Sequence, residues 1–414
     1  MENIIEIIAD AIENTKFEDK AYVVGGFVRD KVMGKISNDM DIVVEMKDGG
    51  IKLANYLYKK NISTKPVVFS RFSTAVINID GHKIEFVMTR KEFYKKNSRK
   101  PDVDHGTIRE DIIRRDFTIN TLLLNVSTGE ILDLTGQARE DIRNKIVRAT
   151  SEPDEIFAED PLRMLRAVRF SVQLDFRIDS KTAKGIESNS ETLINISRER
   201  QRDELENILL SPDPARGVEL MFKYNLMEIV IPELRKSEVI IQLLNALEKS
   251  PKKFSVRMVI LLCEIDLVNI EKILRRLKFS NKQIREVIEL HKNFKEISLK
   301  INQNHDFTNA ELRKIIYEND GYIDLILDVL SAFYQAHTYY MQYANKLEKL
   351  KTRIKALEKE LQDLNFPVDG EDIMCEFELV EGPQVGELLE KAKNIWYKNP
   401  LLDKNEILSK LQTK

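Results

Sequence analysis

The sequence predicts an α+β protein, with a small mixed sheet and helices in residues 1–146 and helices alone in the rest. Short runs rich in β-branched and aromatic residues dominate the first part. Beyond residue 146 almost every apolar residue recurs with helical period. The 414 residues exceed what one core supports, so roughly two to four domains are expected. No low-complexity linker or internal repeat separates them, which favours continuous packing.

The individual elements follow from the same patterns. Strands are predicted at 65–69, 74–79 and 82–88, with Asp80-Gly81 as a typical hairpin turn between the last two. In the second part, helices are predicted at 161–172, 198–210, 215–224, 256–265, 281–297 and 341–364.

Charge, cysteine content and hydropathy exclude several classes of protein. A net charge of −3 from 65 Lys and Arg and 68 Asp and Glu does not decide the partner, because basic side chains can still gather on one face. The only cysteines, Cys263 and Cys375, form no C-x-x-C motif, which excludes a cysteine zinc site and indicates a reducing, cytoplasmic setting. We expect no signal peptide and no membrane span, since the N-terminus lacks a basic start and long apolar runs are absent.

Residues 22–30 predict a strand, a glycine turn and a helix. Gly25 and Gly26 let backbone N–H groups approach an anion at the start of that helix, and Arg29 adds a permanent charge one turn later. The motif is neither the G-x-G-x-x-G of dinucleotide-binding folds nor a P-loop. It suits a triphosphate.

Two aspartates alternate on the next apolar run. Because side chains two apart on a strand face the same way, Asp39 and Asp41 are expected to converge while Met40 and Ile42 enter the core. Such a pair suits a hard cation such as Mg²⁺. The alternative is a tight turn with Arg29 in a surface ion pair and solvated aspartates on an edge strand. The glycine turn with Arg29 and the pair Asp39 and Asp41, taken together, favour a nucleotide and metal site over this alternative.

A third carboxylate, Glu85, lies on the strand after the hairpin and would join the pair if that strand lies beside theirs. An outward residue on a half-buried strand explains Glu85 equally well. The cluster would serve two-metal chemistry, in which one ion lowers the pKa of an attacking hydroxyl and the other braces a leaving pyrophosphate.

Residues 114–120 are expected to open a short helix on which Asp116 and Asn120 share a face. With Arg114 and Arg115 this face could hold phosphate and ribose. Taken alone, the pattern favours Asp116 as an N-terminal helix residue that complements the helix dipole, with both arginines solvated.

Residues 159–170 predict one helix with a carboxylate acceptor and a row of cations at every third position: Asp160, Arg163, Arg166 and Arg169. Pro161 at the first helical position makes Asp160 the N-cap, but capping does not explain the arginines. Asp160 can accept from the exocyclic amine of cytosine or adenine, and Arg163 can donate to their ring acceptors. Uracil and guanine present the opposite pattern, so this pair would select C and A.

The order of the motifs resembles the class II tRNA nucleotidyltransferases, which are the bacterial CCA-adding enzymes and their poly(A) polymerase relatives. Six motifs carry the resemblance: GGFVRD, DMDIVV, RRDFTIN, DLTGQAREDIRNKIVR, EDPLRMLRAVRF and ERQRDEL. It implies a polymerase-β-like nucleotidyltransferase head (1–146), a helical neck with a nucleotide-selecting helix (147–232), a helical body (233–345) and a helical tRNA-binding tail (346–414).

The resemblance also implies a role for each matched residue. Asp39 and Asp41 would bind two Mg²⁺ ions, and Gly26, Arg29 and Arg115 would bind the incoming ATP or CTP. Asp160 and Arg163 would act as a protein template, assisted by Arg166 and Arg169. The remaining motif residues, Glu199, Arg200 and Glu204, would brace the pocket.

Two further segments bear on the activity. The tail segments 366–374 and 381–389 resemble the tRNA-gripping tail of CCA-adding enzymes; Gly382 and Gly386 frame a turn that could hold a phosphate, although a plain helical hairpin explains them too. The loop between Arg90 and Asp111 has the length of full flexible loops of the family, which disfavours a CC-only enzyme. Its basic residues Lys95, Lys96, Arg99 and Lys100 could touch RNA, although a solvated charge run is the commoner meaning.

The sequence therefore favours a cytoplasmic enzyme that adds the 3′-terminal CCA to tRNA from CTP and ATP, without an obligate protein partner. An A-adding enzyme of a split CC/A system and a poly(A) polymerase are alternatives within the class. A catalytically silent tRNA-binding protein is the alternative from another class.

Overall fold

The computed structural model describes residues 1–37, 39–70, 73–93, 102–234, 239–336 and 342–412. The chain divides into two compact units, Met1–Pro232 and Glu233–Lys414. Helices of the first unit are α1 (Glu2–Ile12), α2 (Gly26–Val32), α3 (Gly49–Lys59), α4 (Ile108–Ile113), α5 (Ala138–Arg143), α6 (Pro153–Glu159), α7 (Leu162–Leu174), α8 (Ser180–Asn189), α9 (Arg198–Leu209), α10 (Pro214–Lys223) and α11 (Met227–Val230), with 3₁₀ helices at Thr118–Asn120 and Ser190–Asn195.

A mixed sheet forms the centre of the first unit. Its strands are β1 (Ala21–Val24), β2 (Met40–Val44), β3 (Val67–Phe69), β4 (Thr74–Ile79), β5 (His82–Met88), β8 (Leu123–Asn125) and β9 (Ile131–Leu132). In the described residues they lie in the order β3-β4-β5-β2-β1-β8-β9, and β2 pairs with β5 in parallel. A separate hairpin joins β6 (Arg90–Phe93) to β7 (Asp102–His105). The predicted α+β class is confirmed, and the turn at Asp80 and Gly81 has φ of +49° and +83°, as a tight hairpin requires.

The two faces of the sheet are covered by different helices. Met40, Ile42 and Val44 of β2 face α3, since a Cβ on Gly49 would meet the Val44 side chain at 2.8 Å. Asp41 and Val43 face the other way, where Val43 packs in one cluster with Ile112 of α4. The carboxylate of Asp41 therefore lies on the α4 face of the sheet.

Residues 147–232 are helical with one exception that the sequence did not predict. Strand β10 (Ile146–Val147) pairs in parallel with β11 (Arg177–Ile178). The backbone N–H of Arg177 donates to Lys145 O at 2.8 Å, and that of Asp179 to Val147 O at 2.9 Å. The expectation of an all-helical second part was wrong here, because two residues per strand are too few to show an alternating pattern.

The second unit is helical throughout its described residues. Its helices are α12 (Val239–Lys249), α13 (Phe254–Leu261), α14 (Leu267–Arg276), α15 (Asn281–Asn302), α16 (Asn309–Glu318), α17 (Ile323–Ala336), α18 (Ala344–Leu361), α19 (Gly370–Glu376), α20 (Pro383–Lys398) and α21 (Lys404–Gln412). The helix predicted at 256–265 runs from Phe254 to Leu261 instead. Asp266, four residues beyond its C-cap Leu262, starts α14 by accepting the N–H of Asn269 at 3.0 Å. Among the described helices, none is long and apolar enough to cross a membrane.

Candidate active site

Two arginines meet at the glycine turn between β1 and α2. Gly25 has φ of +74°, a conformation that favours glycine. A Cβ on Gly25 would lie 3.7 Å from Arg115 Nη1, and a Cβ on Gly26 would lie 3.4 Å from Arg29 Nη2. The turn and both guanidinium groups therefore form one cationic corner.

Arg29 is held from three sides. Its side chain is buried, and Nη1 donates to Asn120 Oδ1 while Nε donates to Asp30 Oδ1, both at 2.8 Å. The ring centroid of Phe170 lies 5.5 Å from the guanidinium carbon. Arg29 therefore does form an ion pair, with Asp30, as the alternative interpretation expected. The pair holds a buried Arg29 beside the glycine turn, whereas that interpretation placed Arg29 on the surface.

Asp41 and Glu85 are direct partners in the parallel register of β2 and β5. Both side chains lie on the same face, so the strand of Glu85 does lie beside that of Asp41. Asp39 directly precedes β2, which begins at Met40. Displacement of water by neighbouring atoms and the adjacent Glu85 carboxylate raise the pKa of Asp41 above its ordinary value; Asp39 adds to this and Arg115 opposes it. Negative charge accumulates here, and a cation would relieve it.

The carboxylates form an open site rather than a cage. Among the described residues, no group of three or more His, Cys, Asp or Glu side chains is spaced to hold a metal ion. Mg²⁺ usually takes one or two protein carboxylates together with substrate phosphates and water. An open set of oxygen donors beside the cationic corner therefore fits Mg²⁺ bound with a nucleotide.

Arg115 is oriented by a buried carboxylate that the sequence analysis missed. Asp111 is 1% exposed; its Oδ1 accepts from Arg114 Nη2 at 2.7 Å and its Oδ2 from Arg115 Nη2 at 3.1 Å. The backbone N–H of Arg90 also donates to Oδ1 at 3.2 Å. Burial favours a raised pKa, but Arg115 and Arg114 lower the pKa of Asp111 below its ordinary value. The spacing i, i+3 and i, i+4 was the available signal.

Asp116 and Asn120 meet, although not on the predicted helix. Helix α4 ends at Ile113, so the expectation of a helix opening at 114 was wrong. Asp116 Oδ1 accepts from the Phe117 N–H at 2.8 Å, and such local bonding competes with helix formation. Asn120 Nδ2 donates to the same oxygen at 3.1 Å.

Asp116 also binds the row of arginines on α7. Its Oδ2 accepts from Arg166 Nε at 2.8 Å. Burial favours a raised pKa for Asp116, but Arg166 and Asn120 lower that pKa below its ordinary value. Asp116 is therefore a buried anion that joins the 114–120 segment to α7, rather than a helix-dipole residue on the surface.

Asp160 and Arg163 lie at the start of α7 and both hold partners. The helix begins at Leu162, one residue later than predicted, and Asp160 Oδ1 still accepts the Leu162 N–H at 3.2 Å. The Asp160 carboxylate also pairs with Arg200 at 2.8 Å. Arg163 donates through Nη2 to Arg114 O at 2.8 Å and through Nη1 to Glu159 at 2.9 Å.

The remaining arginines of α7 are paired rather than displayed as a row of unpaired cations. Arg166 pairs with Asp116, and Arg169 Nε lies 3.0 Å from Glu204 Oε2 on α9. Burial raises the pKa of Glu204 although Arg169 and Arg166 oppose this effect. The predicted row of cations exists, but its acid partners come from other elements and could not be read from the helix alone.

Phe170 is a second residue whose role the sequence did not reveal. Its ring lies under three guanidinium groups, with centroid distances of 5.5 Å to Arg29, 5.3 Å to Arg166 and 4.5 Å to Arg169. Phe117 packs edge-on against it at 5.9 Å. In the sequence Phe170 was only one of the apolar residues of α7, although Arg166 four residues earlier on the same helix was an available signal. The contact with Arg29 of α2 leaves no spacing signal, because it joins separate elements.

Two other predicted features have different outcomes. The basic loop residues Lys95, Lys96, Arg99 and Lys100 lie outside the described residues. In the tail, α20 does follow Gly382, but the cleft at its start is lined by Asp369, Glu371 and Glu381. Three carboxylates repel a phosphate, so the expected phosphate turn at Gly382 and Gly386 is not supported.

Family models match most of the chain. The Poly A polymerase head domain matches residues 21–148, the probable RNA and SrmB-binding site of polymerase A matches 175–237, and the putative tRNA nucleotidyltransferase domain 2 matches 252–411. The first match covers the sheet, the glycine turn and the carboxylates described above. Fold and site thus define a nucleotidyltransferase.

Individual relatives narrow this class. A CCA-adding enzyme of Lactobacillus helveticus is 33% identical over 315 residues, 75% of this chain and 75% of that protein. One of Enterococcus faecalis is 28% identical over 394 residues, covering 94% and 90%. A Bacillus stearothermophilus CCA-adding enzyme in complex with CTP has a TM-score of 0.77 at 25% identity, covering 100% and 96%. The chain belongs to the class II tRNA nucleotidyltransferases, the family of the CCA-adding enzymes.

Proposed function

We propose that this protein adds the 3′-terminal CCA to tRNA, with CTP and ATP as substrates and amino-acid side chains in place of a nucleic-acid template. The observation that carries the proposal is the pairing of Asp41 with Glu85 beside the corner formed by Gly25, Arg29 and Arg115. The CCA-adding activity named for the relatives supports the choice over A-only addition and poly(A) synthesis.

Asp39 and Asp41 would hold Mg²⁺, with Glu85 adding negative charge beside them. Bound Mg²⁺ would lower the pKa of the RNA 3′-hydroxyl and neutralise charge on the leaving pyrophosphate. The 3′-hydroxyl would lose its proton to water and its oxygen would form a bond to the α-phosphorus, while the bond from that phosphorus to the bridging oxygen breaks and pyrophosphate leaves with the electron pair. The chain supplies the orientation that makes this displacement in line.

Arg29 and Arg115 would bind the triphosphate. Both guanidinium groups lie at the glycine turn, and buried contacts fix them before any nucleotide arrives. Arg115 gives Nη2 to Asp111 and places Nη1 at the glycine turn, where Nη1 would donate to a phosphate oxygen. Preorganised donors of this kind stabilise charge without reorganising during the reaction.

Asp160 and Arg163 would select the base. Arg163 has five N–H groups, and Ile156 O, Glu159 and Arg114 O accept from three of them. Within the described ranges Nε–H and one Nη2–H have no acceptor, and they would donate to the base. Asp160 would exchange its exposed Arg200 partner for the exocyclic amine of C or A. Arg166 and Arg169 would act indirectly, by fixing Asp116 and Glu204.

The helical second unit would hold the tRNA, with body and tail divided near residue 345 as the sequence predicted. The reaction would take place in the cytoplasm. Cys263 and Cys375 are both free, which supports a reducing setting.

The test uses tRNA transcripts that end before CCA, after one C and after CC, each incubated with CTP, ATP or UTP. The proposal expects C on the first two, A on the third, and no U. Addition restricted to the CC-ended transcript would indicate an A-adding enzyme instead. Long A tails on unrelated RNA would indicate a poly(A) polymerase, and no addition would leave tRNA binding alone.

A further inference from the structure

Residues 49–79 form a basic stretch in a chain of net negative charge. They contain Lys52, Lys59, Lys60, Lys65 and Arg71 but no Asp or Glu, whereas the whole chain carries a charge of −3. Helix α3 begins this stretch and buries its apolar stripe of Leu53, Ala54 and Leu57. The lysines of the helix are exposed.

A cleft of about 410 Å³ lies between α3 and the turn that follows α1. Lys52, Asn55, Tyr56 and Lys59 line one side, since residues three and four apart share a helix face. Lys16 and Phe17 line the other side. The Phe17 and Tyr56 rings pack at 5.4 Å, and Tyr56 Oη donates to Ala11 O at 3.1 Å, so the aromatic floor is fixed.

The lysines of the cleft are largely uncompensated. In the part of the chain described, Lys16 and Lys59 make no ion pair, and Lys52 donates to the carbonyl of Lys47 at 2.7 Å. No acidic residue lines the cleft. The cleft therefore combines positive charge with aromatic rings, which is the combination that binds single-stranded nucleic acid.

The cleft lies across the sheet from the carboxylates. Helix α3 packs so closely that a Cβ on Gly50 would lie 2.5 Å from Phe86 O, and one on Gly49 would meet Val44. Val44 and Asp41 point to opposite faces of β2. A nucleotide at Asp41 does not reach the lysines of α3, so the cleft is a separate site.

We propose that this cleft binds the phosphate backbone of a single-stranded RNA segment, as a second RNA site on the head. Lys52 and Lys59 lie seven residues apart, about 10 Å along the helix. Two charges at this separation suit phosphates spread along a strand better than the compact triphosphate of a free nucleotide. The proposal goes beyond the function argued above, because binding here does not require nucleotide addition.

The test compares two double variants. The cleft variant is Lys16→Gln/Lys59→Gln. The control is Lys145→Gln/Lys181→Gln, which removes the same charge from lysines that are ion-paired, Lys145 with Asp175 and Lys181 with Glu152. Both full-length variants are titrated with a labelled single-stranded RNA of about 12 nucleotides carrying a 3′-phosphate. Binding is measured from about 50 to 200 mM KCl. KM values for CTP and ATP are measured with a tRNA transcript.

For the cleft variant we expect binding about tenfold weaker at low salt and a salt slope shallower by about 1.4, since each lost phosphate contact removes roughly 0.7. The control pair and the KM values should stay at wild type. An unchanged slope would overturn the RNA site while leaving nucleotide addition intact. Raised KM values with unchanged RNA binding would assign the cleft to free nucleotides instead. If the wild-type protein does not extend tRNA but the cleft variant still has a shallower salt slope than wild type, the proposed function is contradicted and the second RNA site stands.

Discussion

Asp41 and Glu85 stand side by side on parallel strands, and their mutual repulsion contributes to the raised pKa of Asp41. The parallel pairing of β2 with β5 brings Asp41 and Glu85 together although they are 44 positions apart in the chain. From the sequence, this contact was expected only if the two strands were neighbours in the sheet. Two adjacent carboxylates on an open sheet face are costly unless a cation is shared between them.

Asp41→Asn should reduce kcat for nucleotide addition about a thousand-fold, because it removes an anionic metal ligand. Glu85→Gln should reduce kcat only about 10- to 100-fold, as is typical of a neighbour of a metal ligand. Steady-state kinetics with a CC-ended tRNA measures both, and tRNA affinity by filter binding should not change. A larger defect for Glu85→Gln than for Asp41→Asn would reverse the assigned roles.

Asp111→Asn should raise KM for both nucleotides about tenfold, since it releases Arg115 from the orientation that Asp111 imposes. It should also lower the free energy of unfolding by about 3 kcal/mol, because two arginines lose a buried charged partner. Asp141→Asn is the matched control: Asp141 is 3% exposed and pairs with Arg148 at 3.0 Å, and its described bonds go to Arg148 and Thr118 rather than to Arg29 or Arg115. Equal KM increases in both variants would indicate a merely structural role.

The stability effect of Asp111 should depend on pH with a defined sign. Although burial opposes it, Arg115 and Arg114 keep the folded-state pKa of Asp111 below its ordinary value of about 3.9. The stabilisation is therefore complete above about pH 4 and is lost as pH falls through the folded-state pKa. Urea unfolding at neutral pH and in acid should show the difference between wild type and Asp111→Asn shrinking in acid. A difference that grows in acid would contradict the assigned pKa.

Asp160→Asn should weaken discrimination of CTP over UTP by about 10- to 100-fold in kcat/KM, because an amide can donate as well as accept. Asp175→Asn is the control: Asp175 ends the same helix, with φ of +57°, which asparagine tolerates. Primer extension with single nucleotides measures the ratios. Unchanged discrimination by Asp160→Asn would assign base selection to other residues.

Phe170→Leu should raise KM for nucleotides about tenfold, since the ring under Arg29, Arg166 and Arg169 is lost and cation–π contacts contribute roughly 1–2 kcal/mol. Phe157→Leu removes an equally buried ring in the same unit that has no guanidinium over it among the described residues. Both variants should unfold more readily, but only Phe170→Leu should change KM. If Phe170→Leu and Phe157→Leu have the same KM values for nucleotides, the role of Phe170 is packing alone.

The sequence predicted those parts of the molecule that have a local signature. The strands at 74–79 and 82–88, the glycine turn and the inward and outward alternation of β2 follow from alternation and turn chemistry, which act over a few residues. Whether Glu85 joins Asp41 could not be decided, because strand order depends on the whole sheet. The acid partners of Arg166 and Arg169 and the contact of Phe170 with Arg29 were missed for the same reason: they come from separate elements.

The most direct test of the account is the sequence of nucleotides that the wild-type protein adds to a tRNA transcript ending at the position before CCA, with all four nucleoside triphosphates and Mg²⁺ present. The account predicts C, C and A in that order, followed by termination. A run of A, incorporation of U or G at a rate comparable to C, or arrest before the terminal A would contradict it.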